Sequence, residues 1–363
     1  MNKQLISRLL RLGFMALSGA LLVVALSPPM QRWLDRHGFI PNQYSHGDLY
    51  NMSNLPDFKE DFALTGDLTD ADKPAKHYPD VDLYTLGDSF TNIDTVYYAG
   101  NRNFHRWVGN RIPLQVTLDT TKKNILVIQV IERVLQERMY SPEYESMFIH
   151  GGFVPTSTTG TSGKAAPESA PKPTALGLAQ PAPSWLLTRF GQDISQRIEF
   201  LLFNGPLAIR FKEAKATLQA SLFGRTTGTA LSRDKKHLFY KAEVDTTTSY
   251  SSFYRISDSR LDSLVDNFNT LRRHYLNMGF NEVYVCLVPN KVTILDPTHW
   301  TYNRQIERVE ANPRFEAPII TTIDTLRQHP DWYHISDGHW NRKGKKFWLR
   351  QVNNVAASWS AYR

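Results

Sequence analysis

The chain has 363 residues, 41% hydrophobic and 21% charged, with a formal net charge of +7. These values exclude a disordered or fibrous polymer and leave room for one large domain with insertions. Three of the cations, Lys3, Arg8 and Arg11, stand in the first turns; the remainder is mildly basic and gives no case for nucleic acid.

Leu12 to Leu26 carries no charged residue and follows those three cations. That asymmetry reads as a secretory signal or a single anchor with its N-terminus in the cytoplasm. Ala25-Leu26-Ser27 nearly supplies a cleavage site, but Pro28 and Pro29 disfavour processing, so residues 1–30 are expected to remain as an anchor. Residues 31–79 are polar and turn-rich, the pattern of a stem leading to a domain over 80–363.

The first core strand is expected at Tyr84 to Leu86, running into Gly87-Asp88-Ser89-Phe90. Gly87 is expected to give the backbone freedom for a tight turn, with Ser89 presented just past the strand's carboxyl end. The amide of Ser89, with its neighbours, is a candidate donor to an oxyanion. Thr91 stands where a Gly-x-Ser-x-Gly elbow would have its second glycine. Phe104 to Val108 is read as a helix returning along the sheet, with His105 on its surface.

Asn124 to Leu135 is nearly continuously apolar, as a parallel strand covered on both faces would be. Glu132-Arg133 at its end is a candidate for structural ion pairing or substrate contact. Residues 155–184, rich in Pro, Gly, Ser and Thr, are expected to be a disordered insertion. Residues 185–254 read as an accessory segment: two helices split near Gly205-Pro206, then a strand over His237 to Val244 within a hairpin.

Ser259 to Met278 spaces Leu261, Leu264, Val265, Phe268 and Leu271 for one apolar helix face, and Val283 to Val288 follows as a strand. A helix feeding a strand is half of a parallel crossover unit. Asn290 and Lys291 then lie at a strand's carboxyl end, where α/β ligand sites gather. Both are substrate or oxyanion candidates, with ordinary turn chemistry as the alternative. Trp300, Tyr302 and Arg304 can line a carbohydrate groove, and Pro318 to Leu326 supplies a further short strand and helix. In the last helix, Arg342, Lys343, Lys345 and Lys346 read as a solvated face, while Phe347, Trp348 and Val352 pack on the sheet. Cys286, the single cysteine, reads as a buried structural thiol, and the histidines show no metal spacing, so neither metal nor cofactor is implied.

A serine hydroxyl needs a base, and the base needs a third group to fix its tautomer. Asp337-Gly338-His339-Trp340-Asn341 offers both, with Asp337 and His339 two residues apart on an extended loop and pointing to one side. With Gly87-Asp88-Ser89-Phe90, Glu132-Arg133 and Val288-Pro289-Asn290-Lys291, this motif resembles the SGNH hydrolase superfamily. Within it the chain is most similar to the alginate O-acetyltransferase, AlgJ- and AlgX-like (DHHW) group, which also has the aspartate two residues before the histidine. The wider superfamily's Gly-x-Asn-Asp block is absent.

The resemblance implies an α/β, flavodoxin-like parallel sheet flanked by helices, and a catalytic set of Ser89, Asp337 and His339. Arg133, Asn290, Lys291 and Trp340 are substrate or oxyanion candidates. It also implies acetyl transfer to an extracytoplasmic polysaccharide, with an MBOAT-type membrane acyl carrier as donor, in a protein held at the inner membrane and facing the periplasm. A secreted carbohydrate esterase and a non-catalytic polysaccharide-binding assembly protein are the competing expectations.

Overall fold

The structure, a computed structural model, describes residues 3–27, 30, 33–34, 37, 49, 52–53, 55–60, 65–108, 115–140, 147, 152–155, 206–223 and 228–362. The insertion expected at 155–184 lies outside them except for Pro155, as does the accessory helix expected before Gly205. In chain order the elements begin with α1 (Lys3–Leu26), β1 (Val81–Gly87), β2 (Asn103–Trp107), β3 (Val116–Leu118), β4 (Lys123–Ile131) and α2 (Glu132–Met139). Next are β5 (Phe153–Pro155), α3 (Pro206–Phe223), β6 (Thr229–Leu231), β7 (Leu238–Tyr240) and α4 (Lys241–Val244). The chain finishes with α5 (Asp258–Asn277), β8 (Glu282–Val288), α6 (Lys291–Leu295), α7 (Gln305–Glu310), α8 (Ile323–Gln328) and α9 (Arg342–Trp359).

Two compact units result, one of residues 1–45 and 160–221, the other of 46–159 and 222–363. In the first, α1 contains Ile6–Val24, 19 residues long and apolar enough to cross a membrane or to serve as a signal sequence. Pro206 opens α3, where its missing N–H costs no helical hydrogen bond.

The second unit is α/β. Its central sheet runs β2-β1-β4-β8, every neighbouring pair parallel. Ile319 adds a parallel bridge to Val285 beyond β8, which is all that forms of the strand expected near Pro318. Ile125, Leu126, Val127, Ile128 and Val130 of β4 are all buried, because the strand is central and helices cover the sheet. Each such side chain contributes about 1.5–3 kcal/mol by leaving water. Against the sheet pack α9, through Phe347, Trp348 and Val352, and α5, through Leu264, Val265, Phe268 and Leu271. Ser257 caps α5 by accepting from the Arg260 amide, and Asn341 caps α9 by accepting from the Lys343 amide.

Three local expectations are corrected. Asn103–Trp107 is an edge strand rather than a helix: five residues provide no full helical face, and their backbone groups pair with β1 from Leu83↔Asn103 to Gly87↔Trp107. The strand expected to reach Leu135 stops at Ile131, where Glu132 starts a helix and turns its carboxylate into a buried polar cluster. The strand expected over His237 to Val244 is only Leu238–Tyr240; Lys241–Val244 coils into a helical turn that brings the Glu243 carboxylate inward to Arg133.

Of the stretch expected as a stem, residues 46–79 group with the second unit. The basic start of α9 explains part of that: Arg342 and Lys346 pair with Asp72, Lys345 donates to the Gly66 carbonyl, and only Lys343 and its partner Asp331 are both well exposed.

Candidate functional site

The site forms where the chain leaves the carboxyl end of β1, with β2 on one side and β4 on the other. Gly87 is required there by space and not by a left-handed backbone, since its φ is not positive. A Cβ at Gly87 would collide with Thr91 Oγ1 and lie 2.7 Å from Gln129 Oε1. That contact is what the tight turn needs, because Thr91 Oγ1 donates into the Asp88 carbonyl and the Gln129 amide oxygen.

Asp88 fixes the turn. Its amide donates to Gln129 Oε1 at 3.0 Å, its Oδ1 accepts from the Phe90 amide at 3.0 Å, and its Oδ2 accepts from Gln129 Nε2 and the Ile131 amide, both at 3.3 Å. The Phe90 and Thr91 amides are thereby committed within the turn. The Ser89 amide, by contrast, donates to nothing among the described residues.

Ser89 is exposed, and its Oγ lies 2.6 Å from His339 Nε2. His339 Nδ1 lies 2.6 Å from Asp337 Oδ1, and the same oxygen accepts from the His339 amide at 2.7 Å. One carboxylate oxygen therefore sets both the backbone and the ring of His339, which places the second ring nitrogen on Ser89. Phe90 flanks the imidazole with ring centroids 4.6 Å apart. The loop closes on itself through His334 N–H to the His339 carbonyl and the Tyr333↔Trp340 bridge. Arranged this way, the three side chains can pass a proton from Ser89 to His339 while Asp337 holds the ring's tautomer.

The other sequence candidates lie close by in different roles. Trp340 is buried, donating its indole N–H to the Phe90 carbonyl at 2.9 Å and packing on Phe90 and Trp348. Its contacts brace the loop. Asn290, also buried, uses every side-chain and backbone group seen here: Oδ1 accepts from the Arg133 amide, Nδ2 donates to Ser252 Oγ, and its amide donates to Glu132 Oε2. Lys291 Nζ donates to the carbonyls of Leu238, Ile335 and Asp337. In this structure the hydrogen-bonding groups of Asn290 and Lys291 are spent on the protein itself.

Arg133 differs from them. Its Nη1 pairs with Glu243 at 2.9 Å, its guanidinium stands over the rings of Tyr240 and Phe90 at 4.8 and 5.7 Å, and the side chain keeps 18% exposure. A Cβ on Gly338 would lie 3.6 Å from Arg133 Nη1 and only 2.5 Å from Tyr240 Cε2, so the guanidinium borders the loop of His339. Of the structural ion pairing expected at Glu132-Arg133, Arg133 makes one, with Glu243; Glu132 is wholly buried and bound to Asn290 and Thr293, where burial pushes its carboxyl up to about 7. Burial also raises the Glu243 carboxyl, against the pull of Arg133.

His105 lies in β2 with Nδ1 2.9 Å from Thr85 Oγ1, and burial brings the ring down to about 4. Trp107 was missed because its strand was read as a helix. It ends β2 in register with Gly87, one strand spacing or about 4.8 Å away. The residue is 58% exposed, with no hydrogen bond or ring contact among the described residues. An aromatic at the end of the strand beside the Ser89 strand was the signal available in the sequence.

No family model, curated protein or solved structure matches the chain.

Proposed function

We propose that the protein is a serine O-acyltransferase of the SGNH type, resembling the alginate O-acetyltransferase group, that moves an acetyl group onto hydroxyls of a polysaccharide outside the cytoplasm. The observation carrying this reading is the continuous contact Ser89 Oγ to His339 Nε2 to Asp337 Oδ1, each step 2.6 Å. The strand order supports it: counted along the chain the sheet runs second, first, third, fourth, the doubly wound order in which ligands gather where the order reverses. Ser89 stands there.

In the first half-reaction His339 Nε2 takes the Ser89 proton as Oγ attacks the acetyl carbonyl. The tetrahedral oxyanion is met by the uncommitted Ser89 amide, with Arg133 as the nearby cation. Collapse expels the donor's oxygen, which leaves with the proton held by His339, and acetyl-Ser89 remains. In the second half-reaction His339 takes the proton of a sugar hydroxyl, whose oxygen attacks the acetyl-serine; Ser89 recovers its proton as the ester forms on the sugar. The donor in this reading is a membrane-bound acyl carrier of the MBOAT type, the helix α1 holds the chain at the inner membrane, and the domain faces the periplasm.

The test is a transfer assay on the full chain in detergent, with an activated acetyl ester as donor and neutral and acidic oligosaccharides as acceptors. Acetylated oligosaccharide formed by the wild type and not by Ser89→Ala supports the transferase. Acetate released to water, unchanged by any acceptor, supports an esterase on the same residues. Neither product from the wild type removes the enzymatic reading and favours a polysaccharide-binding protein.

A further inference from the structure

The loop bearing Asp337 and His339 is gripped along its two backbone edges by opposite charges. On the amide edge, Glu60 Oε2 accepts from the N–H groups of Ile335 at 2.7 Å and Ser336 at 2.9 Å and from the Ser336 hydroxyl at 3.2 Å, while Oε1 lies 3.3 Å from His334 Nδ1. On the carbonyl edge, Lys291 Nζ donates to Ile335 at 2.6 Å and Asp337 at 3.2 Å, and to Leu238 of β7 at 2.7 Å. Ile335 is thus held twice, its N–H on a carboxylate and its C=O on an ammonium.

Both ions are withdrawn from water: the Glu60 side chain is 8% exposed and Lys291 is wholly buried. Burying a charge costs several kcal/mol unless hydrogen bonds compensate it. Burial alone would raise the Glu60 carboxyl, yet His334 and the Ser336 and Ile335 amides hold it below the usual carboxylate range. Hydrogen bonds to an ionised group are shorter and stronger than neutral ones, and restrain the backbone accordingly. Both ions bind backbone groups of the loop, so what they do for the site passes through the loop.

We propose that Glu60 and Lys291 are positioning residues, a paired clasp that sets the Asp337 and His339 loop so that His339 Nε2 meets Ser89 Oγ. Glu60 comes from the stretch between α1 and β1, so the clasp closes only when that stretch is docked. Asp72 on Arg342 and Lys346, and Gly66 on Lys345, hold the same stretch against the start of α9, directly after the loop. Leu49, Met52 and Phe58 form a small apolar cluster with Leu238, whose carbonyl Lys291 also binds. The catalytic geometry is therefore completed by residues that precede the sheet, and loosening them disarms the site without touching Ser89, Asp337 or His339.

The inference rests on the acyl-serine reading for its kinetic arm and is independent of it for its spectroscopic arm. Full-length wild type, Glu60→Ala, Glu60→Gln and Glu60→Asp in detergent are compared in single-turnover acetylation by p-nitrophenyl acetate. In parallel the His339 ring N–H that faces Asp337 is followed by proton NMR. Because a displacement of about 1 Å costs roughly a hundredfold, Glu60→Ala is expected to acetylate about a hundredfold more slowly per folded molecule, with KM little changed and the downfield ring N–H signal lost. Glu60→Gln, whose amide oxygen can still accept from Ile335 and Ser336, is expected to recover most of the rate and the signal.

If Glu60→Ala does not fold, Glu60→Asp decides, since it keeps the charge and withdraws it by one methylene: about a tenfold loss with an unchanged melt is expected. A wild-type rate in the folded Glu60→Ala or Glu60→Asp protein, with the ring signal intact, overturns the clasp. A wild type that is never acetylated while its ring signal still depends on Glu60 overturns the reading of Ser89 and leaves the clasp standing.

Discussion

Ser89 and His339, separated by 250 positions in the chain, stand with Oγ and Nε2 2.6 Å apart. The contact joins the turn after β1 to the loop before α9, and Asp337 on the far side of the ring completes it. If the three act as one unit, single substitutions should be about as damaging as combined ones. Asp337→Asn, which favours the wrong tautomer, is expected to lower the acylation rate by about three to four orders of magnitude. Ser89→Ala should abolish acyl-enzyme and leave the melting temperature close to wild type, because Ser89 is exposed. Stopped-flow acylation and thermal melts of the single and double variants check both statements.

The turn itself is a stability prediction. Gly87→Ala puts a methyl where Thr91 Oγ1 and Gln129 Oε1 already stand. Overpacking of this kind costs about 1–3 kcal/mol. Thr91→Ala removes the nearer obstacle, so the double variant should lose less than the sum of the two single losses. Denaturation of the four proteins measures the coupling, and strict additivity contradicts the close approach.

Glu132 predicts a pH dependence of stability with a definite sign. Burial raises its carboxyl from 4.5 to about 7 in the folded chain. Between those values the folded state binds more protons than the unfolded one, so the Glu132 contribution to stability falls as pH rises and is lowest above 7. The difference across the window is about 3 kcal/mol for one wholly buried group. His105, lowered from 6.5 to about 4, works in the opposite sense: its contribution is full above 6.5 and is lost as pH falls toward 4. Glu132→Gln should therefore gain on the wild type in denaturation at pH 8 and lose that advantage at pH 4.5, with Asn290 and Thr293 still bonded to the amide oxygen. An advantage constant across pH contradicts the raised carboxyl.

Trp107 predicts a split between the two half-reactions. Trp107 is exposed and ends the strand paired with β1; if the acceptor sugar stacks on it, loss of that contact is worth about 1 kcal/mol. Trp107→Ala should raise KM for an oligosaccharide acceptor several-fold while leaving the rate of Ser89 acetylation as it was. A change confined to the donor step contradicts a place on the acceptor side.

The parts legible in the sequence are those set by short-range chemistry. Five leucine, valine and phenylalanine positions of α5 repeat at helical spacing, and the apolar run of β4 is too continuous for a half-exposed strand. The meeting of Ser89 with Asp337 and His339 was legible because each motif is compact and the two call for each other chemically. Long-range partners were not. Asn290 and Lys291 look like ligands in sequence, and only the return of Arg133, Ser252, Leu238 and Ile335 to their side chains shows where those groups go. Nothing local to Glu60 announces that it grips a loop 275 positions later. Asn103–Trp107 was misread because in five residues the pairing partner decides between strand and helix, and that partner, β1, is distant in sequence.

The measurement that tests the central claim most directly is intact-protein and peptide mass spectrometry of the full chain after incubation with an activated acetyl ester, beside Ser89→Ala and His339→Gln. The account predicts one acetyl adduct, on Ser89, absent from Ser89→Ala, strongly slowed in His339→Gln and discharged when an acceptor sugar is added. An adduct on another residue, or none on the wild type at a pH where His339 is neutral, would contradict it.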